Sequence, residues 1–141
     1  MGTSEVDMKL EVVFVPVSDV ERAAAFYRKL GWRQDADTGK GDERRLQFTP
    51  PGSGCSIIIR KGVGPAVPGT TQFLHLVVSD IVAARAELMQ RGAAIGAVRH
   101  MVSGEWRDGP HPERENYQSF ADFTDPDGNI WLLQEVDRTK A

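Results

Sequence analysis

Few side chains in this sequence are suited to holding a metal or moving a proton near neutral pH. Its three histidines are His75, His100 and His111, and Glu105 lies between the last two. Imidazole serves both as a metal ligand and as a general base at physiological pH. These four residues therefore form one candidate metal shell. More simply, His75 is a pocket or core histidine with a hydrogen-bond partner, and the other three are solvated. Asp122 is a second candidate base. If the last hairpin places it on the face of Leu132, its carboxylate enters a pocket. A shift of one residue turns Phe123 inward instead. Cys55 follows a Gly-rich turn with nothing basic beside it in sequence, so it reads as an inert thiol. Asp125 and Asp127 form a turn and bring too few oxygens for calcium.

The bulk composition narrows the classes. A chain of 141 residues with 40% apolar and 26% charged residues can bury a sizeable core. A net charge of −3 with scattered basic residues gives no reason to expect nucleic acid or an anionic membrane. The apolar runs are too short to span a bilayer. No charged leader precedes an apolar core, and the lone cysteine excludes an internal disulfide. A reducing cytoplasm is the expected compartment. Met1-Gly2 lacks the Ser or Thr that an acylation signal wants at Val6, and the head MGTSEVD reads as a loose terminus.

The elements that must position these groups repeat along the chain. The run Val12, Val13, Val15, Val17 predicts a strand buried on both faces. Ser18-Asp19 caps the next helix, which packs through Val20, Ala23, Phe26 or Tyr27, and Leu30, and Gly31 ends it. Residues 73–92 repeat the plan. Asp19 to Asp80 and Gly31 to Gly92 are both separations of 61 residues, and one offset at both helix ends marks a repeated unit. Further strands are predicted at 32–38, 44–49 and 55–60, then at 94–101, 117–123 and 129–135. The modules span 9–62 and 72–136, joined by a linker at 63–71. Gly54 to Gly128 is a separation of 74, so the second module carries 13 extra residues. They fall in 100–116, a stretch rich in Gly, Pro and charge that predicts an irregular loop covering a cavity. Trp106 lies in it, either stacking on a ligand at the cavity mouth or packing on the base of the loop.

Val17-Ser18-Asp19 before a helix ending Phe26-Tyr27-Arg28-Lys29-Leu30-Gly31-Trp32, then Val78-Ser79-Asp80, then Asp125-Pro126-Asp127-Gly128-Asn129, together resemble the vicinal oxygen chelate superfamily. It includes glyoxalases, bleomycin-resistance proteins and extradiol dioxygenases. The resemblance implies an α+β fold of two tandem β-α-β-β-β modules. Their curved mixed sheets close around a cavity, from one chain or from two. It also implies a homodimer.

In metal-dependent relatives the resemblance implies one ligand on the first and last strand of each module. Here those positions are Val12, Ile58, Phe73 and Leu132. None has a lone pair to donate, so no metal and no other cofactor is expected. The favoured function is metal-free binding of a small aromatic or amphipathic molecule, in the manner of the bleomycin-resistance branch. Val12, Phe14, Ile58, Phe73, His75, Trp106 and Leu132 are the expected contacts. The alternative is a lyase, isomerase or dioxygenase with relocated ligands, or with His75 or Asp122 as general base. A structural dimer with a self-filled cavity is the third class.

Overall fold

The computed structural model describes residues 6–62 and 65–139. The head is therefore described only from Val6, and Val63 and Gly64 of the expected linker lie outside the described residues. The first module runs β1 (Val12–Val17), α1 (Val20–Lys29), β2 (Arg33–Thr38), β3 (Arg45–Thr49) and β4 (Ser56–Lys61). The second runs β5 (Leu74–Val78), α2 (Ile81–Gln90), β6 (Arg99–Val102), β7 (Glu105–Asp108), β8 (Ser119–Thr124) and β9 (Ile130–Glu135). The first sheet has the order β1-β4-β3-β2 and the second β5-β9-β8-β6-β7. This is the α+β fold of paired modules that the repeat predicts.

The local reasons are those of helix capping. Asp19 accepts a hydrogen bond from the Arg22 backbone N–H at 3.1 Å, and Asp80 accepts from Val82 and Ala83. Each cap satisfies donors that a helix start leaves unpaired. Beyond the two helices, Gly31 and Gly92 have φ of 83° and 99°, a region where a side chain is strained.

The extra residues of the second module depart from expectation. They do not form an irregular loop over their whole length. Residues 99–108 make a regular hairpin, β6–β7, in which Met101 pairs with Trp106 and His100 with Arg107. Ser103 and Gly104 turn it, with φ of 49° and 80°. Two successive positive φ values match the right-handed twist of the flanking strands. Gly104 thus makes the tight turn that permits the strands. The segment after it, 109–118, is irregular and is held by Arg114, whose guanidinium grips the buried Glu135 carboxylate at 2.6 and 2.9 Å. That contact holds the Glu135 carboxyl below its ordinary pKa.

The modules meet through their helix-bearing faces. Val15, Val17, Leu46, Phe48, Ile57 and Ile59 of the first sheet join Ala121, Phe123, Trp131 and Leu133 of the second in one core cluster with both helices. Trp32 and Trp131 pack edge to face with centroids 4.9 Å apart, and Phe26 approaches Phe123 at 6.3 Å. The opposite parity of each strand looks outward. Val12 and Phe14 are 37% and 41% exposed, so β1 begins with one open face rather than two buried ones. The modules of a single chain therefore do not close around a cavity with their open faces.

A buried polar network locks this arrangement. Tyr27 of α1 donates its hydroxyl to Asp125 at 2.8 Å, and the Trp131 indole N–H donates to that same hydroxyl at 3.0 Å. Asp125 also accepts from Asn129 Nδ2 at 2.8 Å, and Asn129 Nδ2 donates to the Pro16 carbonyl at 3.1 Å. Burial, then the neighbouring Asp125 charge, pushes the Tyr27 phenol well above its ordinary pKa, so it remains a donor. Removing the hydroxyl leaves the Asp125 oxygen and the indole N–H buried without that partner. Tyr27→Phe is therefore expected to cost about 1–3 kcal/mol of unfolding free energy. Urea unfolding checks this; an unchanged midpoint would show that the network is not holding the modules.

Candidate functional site

The open face of the second sheet gathers most of the sequence candidates. His75 of β5, Leu132 of β9 and Asp122 of β8 form one row across the sheet, since Leu132 is the register partner of both. Asp122 thus shares the face of Leu132, which settles the register left open by the sequence. Strand spacing puts His75 and Asp122 two strands apart, about 10 Å between backbones. His75 instead places Nδ1 2.8 Å from the carbonyl oxygen of Phe73. Asp122 pairs with Arg99 at 3.5 Å. The two candidate bases lie on the same face, and each has its own local partner.

Trp106 is on β7, on that same face and 48% exposed. Its ring meets Phe120 of β8 edge to face at 5.8 Å, and the Arg99 guanidinium lies 4.6 Å from its centroid. Trp106 and Phe120 make an aromatic corner, with Arg99 over the indole and paired to Asp122. The sequence singled out Trp106 and Asp122 but missed Phe120 and Arg99. Phe120 has the same parity as Asp122 and was recoverable from that. Arg99 needed the pairing of β6 with β8, which strand periodicity alone does not supply.

The other candidates lie apart. Phe73 stands just before β5 with φ of 59°, so the strand alternation does not extend to it. Val12, Phe14 and Ile58 line a hollow of about 300 Å³ on the open face of the first sheet, together with Arg45 and Arg60. Within one chain this hollow and the Trp106 surface are on opposite sides of the shared core. A larger cavity, about 590 Å³, lies between the modules instead, with Leu30, Trp32 and the 50–54 turn on one wall and β5 and α2 on the other. It takes in His75 but none of Val12, Phe14, Ile58, Trp106 and Leu132.

The positions inferred for a metal do not fit one. Val12, Ile58, Phe73 and Leu132 have no donor atoms, and the surrounding row supplies one imidazole and one carboxylate that are not adjacent. The relocated shell does not assemble either. His100 is buried, with Nδ1 2.8 Å from the Gly109 carbonyl oxygen, and its ring lies 6.0 Å from that of His111. It has the parity of Ser119, opposite to that of Arg99 and Phe120, so the sheet separates it from His75. Glu105 is exposed at the hairpin tip and pairs with Arg107 at 2.9 Å. Among the described residues no group of three or more His, Cys, Asp or Glu is placed to hold an ion. Cys55 is half-buried and its Sγ lies 3.6 Å from the Ser56 carbonyl oxygen.

A β-α-β-β-β module and a second of the same plan with one added strand, each with one open face, define the class of fold. The sequence matches the glyoxalase/bleomycin resistance protein/dioxygenase superfamily over residues 9–133, and the chain belongs to that superfamily. Among solved structures it is similar to TnmS3, an antibiotic binding protein from Streptomyces sp. CB03234. Identity is 30%, the TM-score is 0.71, and the match covers 94% of this chain and 98% of that one. It is also similar to a glyoxalase/bleomycin resistance protein from the same organism. There the identity is 31% and the TM-score 0.68, over 89% and 99% of the two chains. A superfamily member from Sphaerobacter thermophilus DSM 20745, at 23% identity and a TM-score of 0.69 over 92% and 98%, shares the fold. No curated protein matches the sequence. No helix of the described residues is long and apolar enough to cross a membrane.

Exposure separates the three tryptophans. Trp32 and Trp131 are 6% and 3% exposed, against 48% for Trp106. Iodide is expected to quench only the Trp106 share of the emission, and Trp106→Phe to abolish that quenchable fraction. Stern–Volmer titration measures it. Quenching retained in Trp106→Phe would mean that the core tryptophans are accessible and the modules do not pack as described.

Proposed function

We propose that the protein is a metal-free binder of a small, flat organic molecule, acting by sequestration. The observation that carries this is the surface of Trp106 and Phe120 beside the Arg99–Asp122 pair on an open sheet face. Aromatic walls with a few oriented polar groups are what small-molecule sites use. The description of TnmS3 as an antibiotic binding protein, at 30% identity over nearly the whole chain, supports the same class of ligand.

One open face is half a site. The hollow of Val12, Phe14 and Ile58 is the other half, and the two look away from each other within one chain. A homodimer in which the first module of one chain covers the second module of its partner brings them together. No nucleic acid or membrane partner enters this reading. The free Cys55 suits a reducing compartment, and we place the protein in the cytoplasm. The alternative of a lyase, isomerase or dioxygenase gains no support from His75 and Asp122, which are separated by Leu132.

A thermal-shift screen of aromatic antibiotics and metabolites, followed by titration, tests the reading. A ligand packed against an aromatic ring loses roughly 1.5–3 kcal/mol when the ring is removed. Trp106→Ala and Phe120→Ala should therefore each bind a hit about 10- to 100-fold more weakly. Equal affinity in all three proteins would place the site elsewhere. Turnover that depends on about one equivalent of bound metal per chain would replace binding with catalysis.

A further inference from the structure

The hollow on the first module carries two positive charges that stand opposite each other. Arg45 of β3 and Arg60 of β4 are direct register partners, so two guanidinium groups stand opposite each other on the open face. Like charges at that spacing destabilise a sheet. Both line the hollow floored by Val12, Phe14 and Ile58. The Arg45 side chain has no hydrogen-bond or ion-pair partner among the described residues. Arg60 reaches Glu43 through Nη2 at 3.2 Å, but the Glu43 side chain is 76% exposed and such a pair is weak. The Nε of Arg60 is buried and has no partner, the only such side-chain atom among the described residues. A buried donor left unsatisfied costs free energy in the free protein.

Asp35, a carboxylate of β2, is engaged elsewhere. Asp35 accepts from Arg33 at 2.5 Å and from the Thr49 hydroxyl, which hold its pKa below the ordinary value. Thr49 lies four residues along β3 from Arg45, about 13 Å at strand spacing. An apolar floor with two converging guanidiniums and one unsatisfied Nε has the chemistry of an anion site attached to a hydrophobic one.

We infer that the first-module hollow is a subsite for an anionic group on an aromatic ligand, a carboxylate, sulfonate or ionised phenol held by Arg45 and Arg60. This rests on the small-molecule reading above and adds the charge of the ligand to it. An anion there satisfies Arg60 Nε and relieves the repulsion between the arginines. The bound form, rather than the free one, gains from both residues.

Two fluorescent probes with one apolar body test this: 8-anilinonaphthalene-1-sulfonate and its neutral parent N-phenyl-1-naphthylamine. The wild-type protein is expected to bind the sulfonate about tenfold or more tightly than the parent, as a charge-assisted hydrogen bond implies. Added salt should weaken the sulfonate alone. Arg45→Gln and Arg60→Gln should each erase most of the preference, weakening the sulfonate far more than the parent. Without ligand, both variants should melt at or above the wild-type temperature, because each removes the repulsion and Arg60→Gln also removes the unsatisfied Nε. A variant that melts markedly lower would overturn the inference by showing that the arginines serve folding. Equal binding of the two probes, with both weakened by Trp106→Ala, would overturn the anion subsite and leave the small-molecule reading standing. Failure of both probes to bind would overturn both. Loss of sulfonate binding together with dissociation to monomers would assign the arginines to a contact between copies and also overturn it.

Discussion

The carboxylate of Asp125 is the point on which the molecule is assembled. It is 4% exposed and takes hydrogen bonds from the Tyr27 hydroxyl, the Asn129 side chain and the backbone N–H groups of Asp127 and Asn129. The turn of residues 124–128 thereby becomes a plug between modules rather than a surface hairpin. Asp127 extends the tie by accepting from the Ser18 hydroxyl at 2.6 Å. A buried charge is tolerated only when its lone pairs are filled, and here the donors come from both modules. The helix-bearing faces are therefore fixed against each other, and the open faces are fixed outward.

That geometry decides what each open face can do. The second module presents Trp106, Phe120 and the row His75–Leu132–Asp122, a surface for stacking with polar groups at its side. The first presents an apolar hollow rimmed by Arg45 and Arg60. Neither offers the convergent donors that a divalent ion requires, because apolar side chains stand at the inferred ligand positions. Paired across two chains, the faces are complementary in kind: an aromatic wall opposite an apolar floor with cations. This is the arrangement that sequestering an amphipathic aromatic compound calls for.

Much of the fold was legible because its signals are local. Asp19 and Asp80 at the same offset as Gly31 and Gly92 mark both ends of both helices, and capping chemistry does not depend on tertiary context. The β6–β7 hairpin was not legible. Ser103 is a turn residue only in combination with Gly104, and the surrounding glycines and prolines of 100–116 outweighed four-residue strands too short to show a period. For the site, the resemblance and the repeat offset gave Val12 and Ile58, and parity within β1 adds Phe14 to the same face. Facing across strands could not, which hid Arg99, Arg45 and Arg60. Tyr27 was read as packing, which it is, but its hydroxyl partner lies 98 residues away. No pattern in α1 announces it.

In the proposed homodimer each ligand site is built from the first module of one chain and the second module of another. Mixing two defective variants tests it most directly. Phe14→Ala damages only the first-module face and Trp106→Ala only the second. In a mixed dimer one site collects both defects and the other is intact, so exchange by mild unfolding and refolding should restore wild-type affinity at about a quarter of the sites. Titration of the mixture with a ligand from the aromatic screen reads that fraction. Recovery near that level supports the shared site, whereas a mixture that binds no better than its separate components would contradict it.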